Sequence, residues 1–195
     1  MQKTAALLLG ALLLMPGLSN GQERPRILIT YHSATGNTRA MAEAVADGAR
    51  SVEGVDVVVR SVEQATTEDL LASDAIVVGS PVYSANVAPE VQRFINGWPF
   101  PGKPLADKIG AAFATGGGIS AGEELVQLNI LHSMLIFGMI VVGGPDWTQP
   151  FGASAVTEEL ALDAAGTPNR APDFLQKGFA LGKRVAELCR RISHH

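Results

Sequence analysis

At 195 residues the chain has the length of one domain, long enough to enclose a full core. Its formal net charge of −4 offers no basic footprint for nucleic acid, and a single cysteine, Cys189, excludes an intrachain disulfide or a cysteine-based metal cluster. Hydrophobic residues at 47%, with 21 glycines, suit an α/β protein with tight turns. The chain opens on Lys3, a continuous apolar run from Ala5 to Met15, a Pro16-Gly17 break and small residues at Ser19-Asn20-Gly21. This pattern predicts a secretory signal peptide over residues 1–21, too short for a permanent membrane span. The mature chain, residues 22–195, is then expected as a single domain, secreted or periplasmic, with no stable membrane insertion after cleavage. No cysteine lies near the cut and no twin-arginine motif precedes it, so neither a lipid anchor nor export of a folded chain is expected. A disordered leader behind a misplaced start is the alternative.

Ile27 to Tyr31 is a short apolar run of β-formers and reads as a buried strand. Arg39 to Arg50 is Ala-rich, with Met41, Val45 and Ala49 at helical spacing. Between them lie Ser33, Ala34, Thr35, Gly36, Asn37 and Thr38, dense in hydroxyls and small residues. The first N–H groups of a helix have no acceptor within it, and its dipole puts partial positive charge there, so such a loop suits an anion. No lysine or arginine interrupts it, which suits a terminal phosphate monoester on a small cofactor. A plain N-cap accounts for any one of these residues; strand, hydroxyl loop and helix together point to phosphate. The loop is neither a Walker A motif, lacking Gly-Lys-Ser/Thr, nor a G-x-G-x-x-G.

Tyr31-x-Ser33-x-x-Gly36-x-Thr38-x-x-x-Ala42-x-x-Val45 resembles the flavodoxin signature, whose loop wraps the FMN phosphate. Thr30 departs from it, since an apolar residue usually precedes the aromatic. The resemblance implies a flavodoxin-like doubly wound five-stranded parallel sheet with helices on both faces.

Further along, Val55 to Arg60 predicts a second strand, Glu68 to Ala72 a short helix, and Asp74 to Gly79 a third strand, apolar as a central parallel strand should be. The following loop is expected at the carboxyl ends of the strands, facing the same crevice as Ser33 to Thr38. Its Ser80, Pro81, Val82, Tyr83 and Ser84 resemble the G-S/T-P-x-Y/R loop of flavodoxin-like quinone oxidoreductases, which contacts the isoalloxazine; a plain turn with a half-exposed tyrosine is the alternative. Pro89 to Asn96 predicts a helix with proline in its first turn. The Pro/Gly-rich loop after it carries Phe100, expected in the core, and Trp98, divided between core and flavin edge. Lys108 to Thr115 predicts the fourth strand. Thr115, Gly116, Gly117 and Gly118 resemble the glycine loop of WrbA-like NAD(P)H:quinone oxidoreductases and NADPH-dependent FMN reductases, with G-G-G-I-S-A-G-E-E in place of the compact G-G-Q-E.

Leu125 to Phe137 predicts a helix and Gly138 to Gly143 the fifth strand. Their junction resembles L-x-H-H-G-M of the quinone oxidoreductases, with Ile136 and Phe137 replacing the histidines; His132 reads as a partly exposed helix residue. Pro150-Phe151-Gly152-Ala153 and the closing helix Phe174 to Arg191 also match WrbA-like proteins, and Cys189 reads as a packed thiol. The resemblance implies FMN as cofactor, NAD(P)H as electron donor, a quinone or similar small-molecule acceptor, and a homo-oligomer whose neighbouring subunits complete the pocket. No Ser/His/Asp set, acid pair or metal cluster stands out, so no protein residue is expected as an indispensable acid or base, and the cofactor carries the chemistry. A flavodoxin-like electron carrier, or an exported protein of this fold without redox activity, remains open from the sequence.

Overall fold

The structure, a computed structural model, describes residues 24–158 and 174–193. The expected leader, residues 1–21, lies outside them. The elements run β1 (Arg26–Tyr31), α1 (Asn37–Arg50), β2 (Asp56–Ser61), α2 (Thr67–Leu71), β3 (Ala75–Tyr83), β4 (Asn86–Val87), α3 (Pro89–Asn96), β5 (Ile109–Gly116), α4 (Glu123–Ile136), β6 (Ile140–Val141), β7 (Ala153–Val156) and α5 (Phe174–Ser193). The sheet order is β2-β1-β3-β5-β6, with β4 paired antiparallel to β3 and β7 parallel to β5.

Strand alternation divides the core into two layers. Ile27, Ile29, Ala75, Val77, Ala111 and Phe113 face α1 and α5, meeting Met41, Val45, Leu181 and Val185. Leu28, Ile76, Val78, Ala112 and Ala114 face the other way, onto Leu70 of α2, Val91 and Ile95 of α3, and Val126, Ile130 and Met134 of α4. Helices therefore cover both faces, as the doubly wound reading requires. Thr30, the odd residue of the β1 run, is fully buried, and its hydroxyl has no hydrogen-bond partner among the described residues.

Three details differ from the sequence reading. The fifth position of the sheet is shared by two short strands. β6 pairs with Ile109 and Gly110 at the start of β5, and β7 with Phe113 to Gly116 at its end. Between them the chain leaves the sheet and closes on itself through a 2.9 Å bond from the Gly144 N–H to the Gln149 carbonyl. The second difference is β3, which runs on through Ser80, Pro81, Val82 and Tyr83 where a loop was expected, and turns back into β4. The third is Phe100, expected in the core, while Trp98 takes the core alternative of its two. Trp98 is 5% exposed, wedged between Phe94 and Phe137, whereas Phe100 is 50% exposed, edge-on to Phe137. Trp98 follows the end of α3 and Phe137 the end of α4, so the cluster lies at the amino-terminal edge of the sheet, away from any crevice at the carboxyl ends.

Cys189 is buried in α5, and that burial pushes its thiol up to about 12, leaving no reactive thiolate at neutral pH. His132 is exposed on α4.

Candidate flavin site

The strand order reverses beside β1, because the chain passes from β1 out to β2 and returns on the opposite side as β3. That switch point is where a parallel α/β sheet opens a crevice at the carboxyl ends of its strands. In register, Tyr31 lies opposite Gly79, and Pro81 opposite Thr115. The three expected segments thus meet at one edge: residues 33–38 after β1, the end of β3 with its hairpin, and the loop after β5.

The first segment holds its backbone donors open at the start of α1. Helix α1 begins at Asn37, two residues earlier than its apolar pattern suggests, behind Gly36 at φ +95°. Glycine enters this left-handed region at no steric cost, and nothing lies within 4 Å of where a Cβ would stand. Ser33 Oγ accepts the N–H groups of Gly36 at 3.1 Å and Arg39 at 3.2 Å, which keeps its own proton available to donate outward. Asn37 Nδ2 donates to Thr35 Oγ1 at 3.4 Å. The N–H groups of Thr35, Asn37 and Thr38 donate to no described residue, and Ala34, Thr35 and Asn37 are exposed. Uncommitted donors at the start of a 14-residue helix fit a phosphate monoester.

Thr38 has a different part. It is 2% exposed, and its Oγ1 lies 2.7 Å from Thr115 Oγ1 at the end of β5. The bond ties the start of α1 to the end of β5, where the glycine loop begins. One of the two hydroxyls uses its proton in this bond and the other retains one to donate.

The second segment is a hairpin, with Ser84 and Ala85 at φ +51° and +61°, both positive as a two-residue type I′ turn requires. Ser80 is fully buried; its hydroxyl donates to the Pro81 carbonyl at 2.7 Å and accepts the Ala88 N–H at 3.0 Å. It shapes the hairpin and has no hydroxyl proton left for a ligand. Pro81 and Val82 are half-buried, and Tyr83 is 40% exposed at the rim.

In the third segment Thr115 and Gly116 belong to β5, and the Gly116 and Gly117 carbonyls are taken by the Thr157 N–H at 2.9 Å and the Glu158 N–H at 3.1 Å. Gly117 is exposed and Gly118 half-buried. A cavity of about 340 Å³ lined by Ile119, Ser120 and residues 122–125 adjoins them.

Sequence reading missed two side chains here. Glu123, the first residue of α4, is 9% exposed; its Oε2 has no hydrogen-bond partner and faces Gly116. His32, directly after β1, places Nδ1 2.8 Å from Glu63 Oε1 and packs edge-on to Tyr83. Burial pushes the Glu63 carboxyl up, but hydrogen bonds from Ser61, from His32 and within Glu63 itself outweigh this and hold it below its usual range. His32 stands inside the loop signature, yet nothing nearby in sequence announces its carboxylate partners. Among the described residues no group of three or more histidine, cysteine, aspartate or glutamate side chains is placed to hold a metal ion.

The chain is similar to known proteins in sequence and in fold. The NADPH-dependent FMN reductase family matches residues 25–153. A protein from Aquifex aeolicus named flavodoxin is 35% identical over 83% of this chain and 85% of its own length. A protein from Archaeoglobus fulgidus named NAD(P)H dehydrogenase (quinone) is 32% identical over 86% of this chain and 98% of its own length. In fold, the chain resembles a solved flavodoxin, WrbA-like protein from Agrobacterium tumefaciens at a TM-score of 0.68, with 21% identity over 86% of this chain and 98% of that one. With these matches the chain belongs to the NADPH-dependent FMN reductase family, flavodoxin-fold proteins that bind FMN and take electrons from NAD(P)H.

Proposed function

We propose that this protein is an FMN-dependent oxidoreductase that passes electrons from NAD(P)H to a quinone or similar small acceptor, working outside the cytoplasm. The observation that carries the reading is the cradle at residues 33–38, whose free N–H donors and open Gly36 suit a terminal phosphate. The flavin, once bound, supplies the hydride-accepting chemistry. The chain's own part is positioning. Ser33, Thr35 and the first N–H groups of α1 hold the phosphate, with Ala34 and Asn37 completing the loop. Pro81, Val82, Tyr83 and Ser84 on one side, and Thr115 to Gly118 on the other, border the ring through backbone and small side chains, leaving one face open to donor and acceptor.

Ile136 and Phe137 bear on the acceptor step. Helix α4 starts at the crevice and its 14 residues span about 21 Å, ending on Ile136 with Phe137 directly after it. A residue at that corner meets a flavin only in a second copy, which accords with an oligomer that completes the pocket between subunits. With no histidine there to assist proton transfer, acceptor turnover should lag flavin reduction. In stopped flow with excess NADH or NADPH we expect rapid bleaching near the flavin absorbance maximum. Reoxidation by benzoquinone should then be slower on the order of a hundredfold, the usual worth of an acid–base group. Equal rates for the two steps would contradict this assignment.

The flavodoxin from Aquifex aeolicus supports a second reading, an electron carrier. A flavin that dithionite reduces but neither nicotinamide reduces would favour it. For location, the expected outcome is cleavage near Gly21 and recovery from the extracytoplasmic fraction; mass spectrometry finding an intact Met1 on the cellular protein would reject export.

A further inference from the structure

His32 sits between two carboxylates contributed by different elements. Nδ1 is 2.8 Å from Glu63 Oε1 in the β2–α2 connection, and Nε2 is 3.7 Å from Glu90 Oε2 in the first turn of α3. Its ring meets Tyr83 edge-on, with centroids 6.4 Å apart at 81°. The side chain is 17% exposed. Among the described residues, Glu63, Glu90 and Tyr83 are the ionisable groups in contact with the ring.

An ionised carboxylate only accepts, so Nδ1 carries a proton and donates it to Glu63. In the neutral ring Nε2 then presents a lone pair to Glu90 Oε2, an oxygen that is buried and without a hydrogen-bond partner. Adding a proton turns that opposition into an ion pair. The histidine joins the end of β1, and through it the phosphate loop, to α3 and to the tip of the β3–β4 hairpin.

We propose that His32 is a positioning residue whose protonation draws in Glu90, fixes Tyr83 beside the phosphate loop and tightens the hold on the flavin ring. This rests on the FMN reading of the crevice. The effect travels through Tyr83 to the ring and not through the phosphate, so riboflavin, which has no phosphate to titrate, is the appropriate probe.

Riboflavin should quench on binding about fivefold more tightly at pH 6 than at pH 8, the scale of a partly exposed charge pair. His32→Gln keeps one donor but cannot gain a charge, and Glu90→Gln removes the second carboxylate; both should hold the affinity at its high-pH value. Tyr83→Ala should also remove the pH dependence. In the flavin-free full chain, the Tyr83 ring resonances should move with the same midpoint as the His32 imidazole, and cease to move in His32→Gln. PH dependence that survives in His32→Gln or in Tyr83→Ala overturns the proposal, as do Tyr83 signals that stay still while His32 titrates. A chain that binds no flavin at any pH sinks the cofactor reading instead, and the flavin-free titration then decides the coupling by itself.

Discussion

Thr35→Glu is expected to weaken FMN binding at least a hundredfold and to leave riboflavin binding nearly unchanged. Thr35 lies in the exposed part of the cradle, two residues before the start of α1. The loop from Ser33 to Thr38 contains no cation, so the phosphate is held by N–H dipoles and hydroxyls alone. A carboxylate placed there meets a nearly doubly charged phosphate. At about 5 Å and an effective dielectric near 20, each unit-charge pair costs about 3 kcal/mol, enough for two orders of magnitude. Because Thr35 is exposed, the variant should melt within a few degrees of the parent. Fluorescence titration with both flavins reads the outcome. An unchanged FMN affinity would refute the phosphate assignment, and equal losses for FMN and riboflavin would point to a disturbed fold.

The second large effect lies at the crossing of α1 and α5, behind the cradle. A Cβ on Gly182 would stand 1.8 Å from the Val45 carbonyl oxygen, and one on Gly48 would stand 1.9 Å from that of Phe179. Both obstacles are backbone, so no rotamer relieves them. Gly182→Ala and Gly48→Ala should each cost about 3 kcal/mol or more, the upper end for overpacking, because the two helices must separate. In a domain of this size that lowers the melting temperature by roughly 10 °C. Gly97→Ala is the control, since its nearest neighbour would be 3.4 Å away. Since α1 carries the phosphate loop at its amino end, any Gly182→Ala protein that remains folded should also bind FMN less tightly. A melting temperature within about 2 °C of the parent would mean that the helices do not cross as closely as described.

What the sequence determined by itself is local. The strand, loop and helix around Ser33-Ala34-Thr35-Gly36-Asn37-Thr38 were legible because they are contiguous in the chain. The helices were legible from apolar spacing and from Pro89 at a first turn, and the central strands from unbroken apolar runs. The remainder depended on partners distant in the chain. The hairpin after β3 uses Ser84 and Ala85 at positive φ, with no glycine to announce the turn. The run Gly138 to Gly143 is apolar enough for a full strand, yet β5 offers it a partner at only two residues, Ile140 and Val141. Trp98 and Phe100 are equally apolar and two residues apart; which one is buried depends on where Phe94 and Phe137 converge. His32 is an ordinary loop histidine in the sequence, and it gains two carboxylates and a tyrosine only when β1, β3, α3 and the β2–α2 connection meet at one edge. Periodicity and turn chemistry act over a few residues and so can be read along the chain, whereas strand pairing and side-chain contact are set by which faces meet in space.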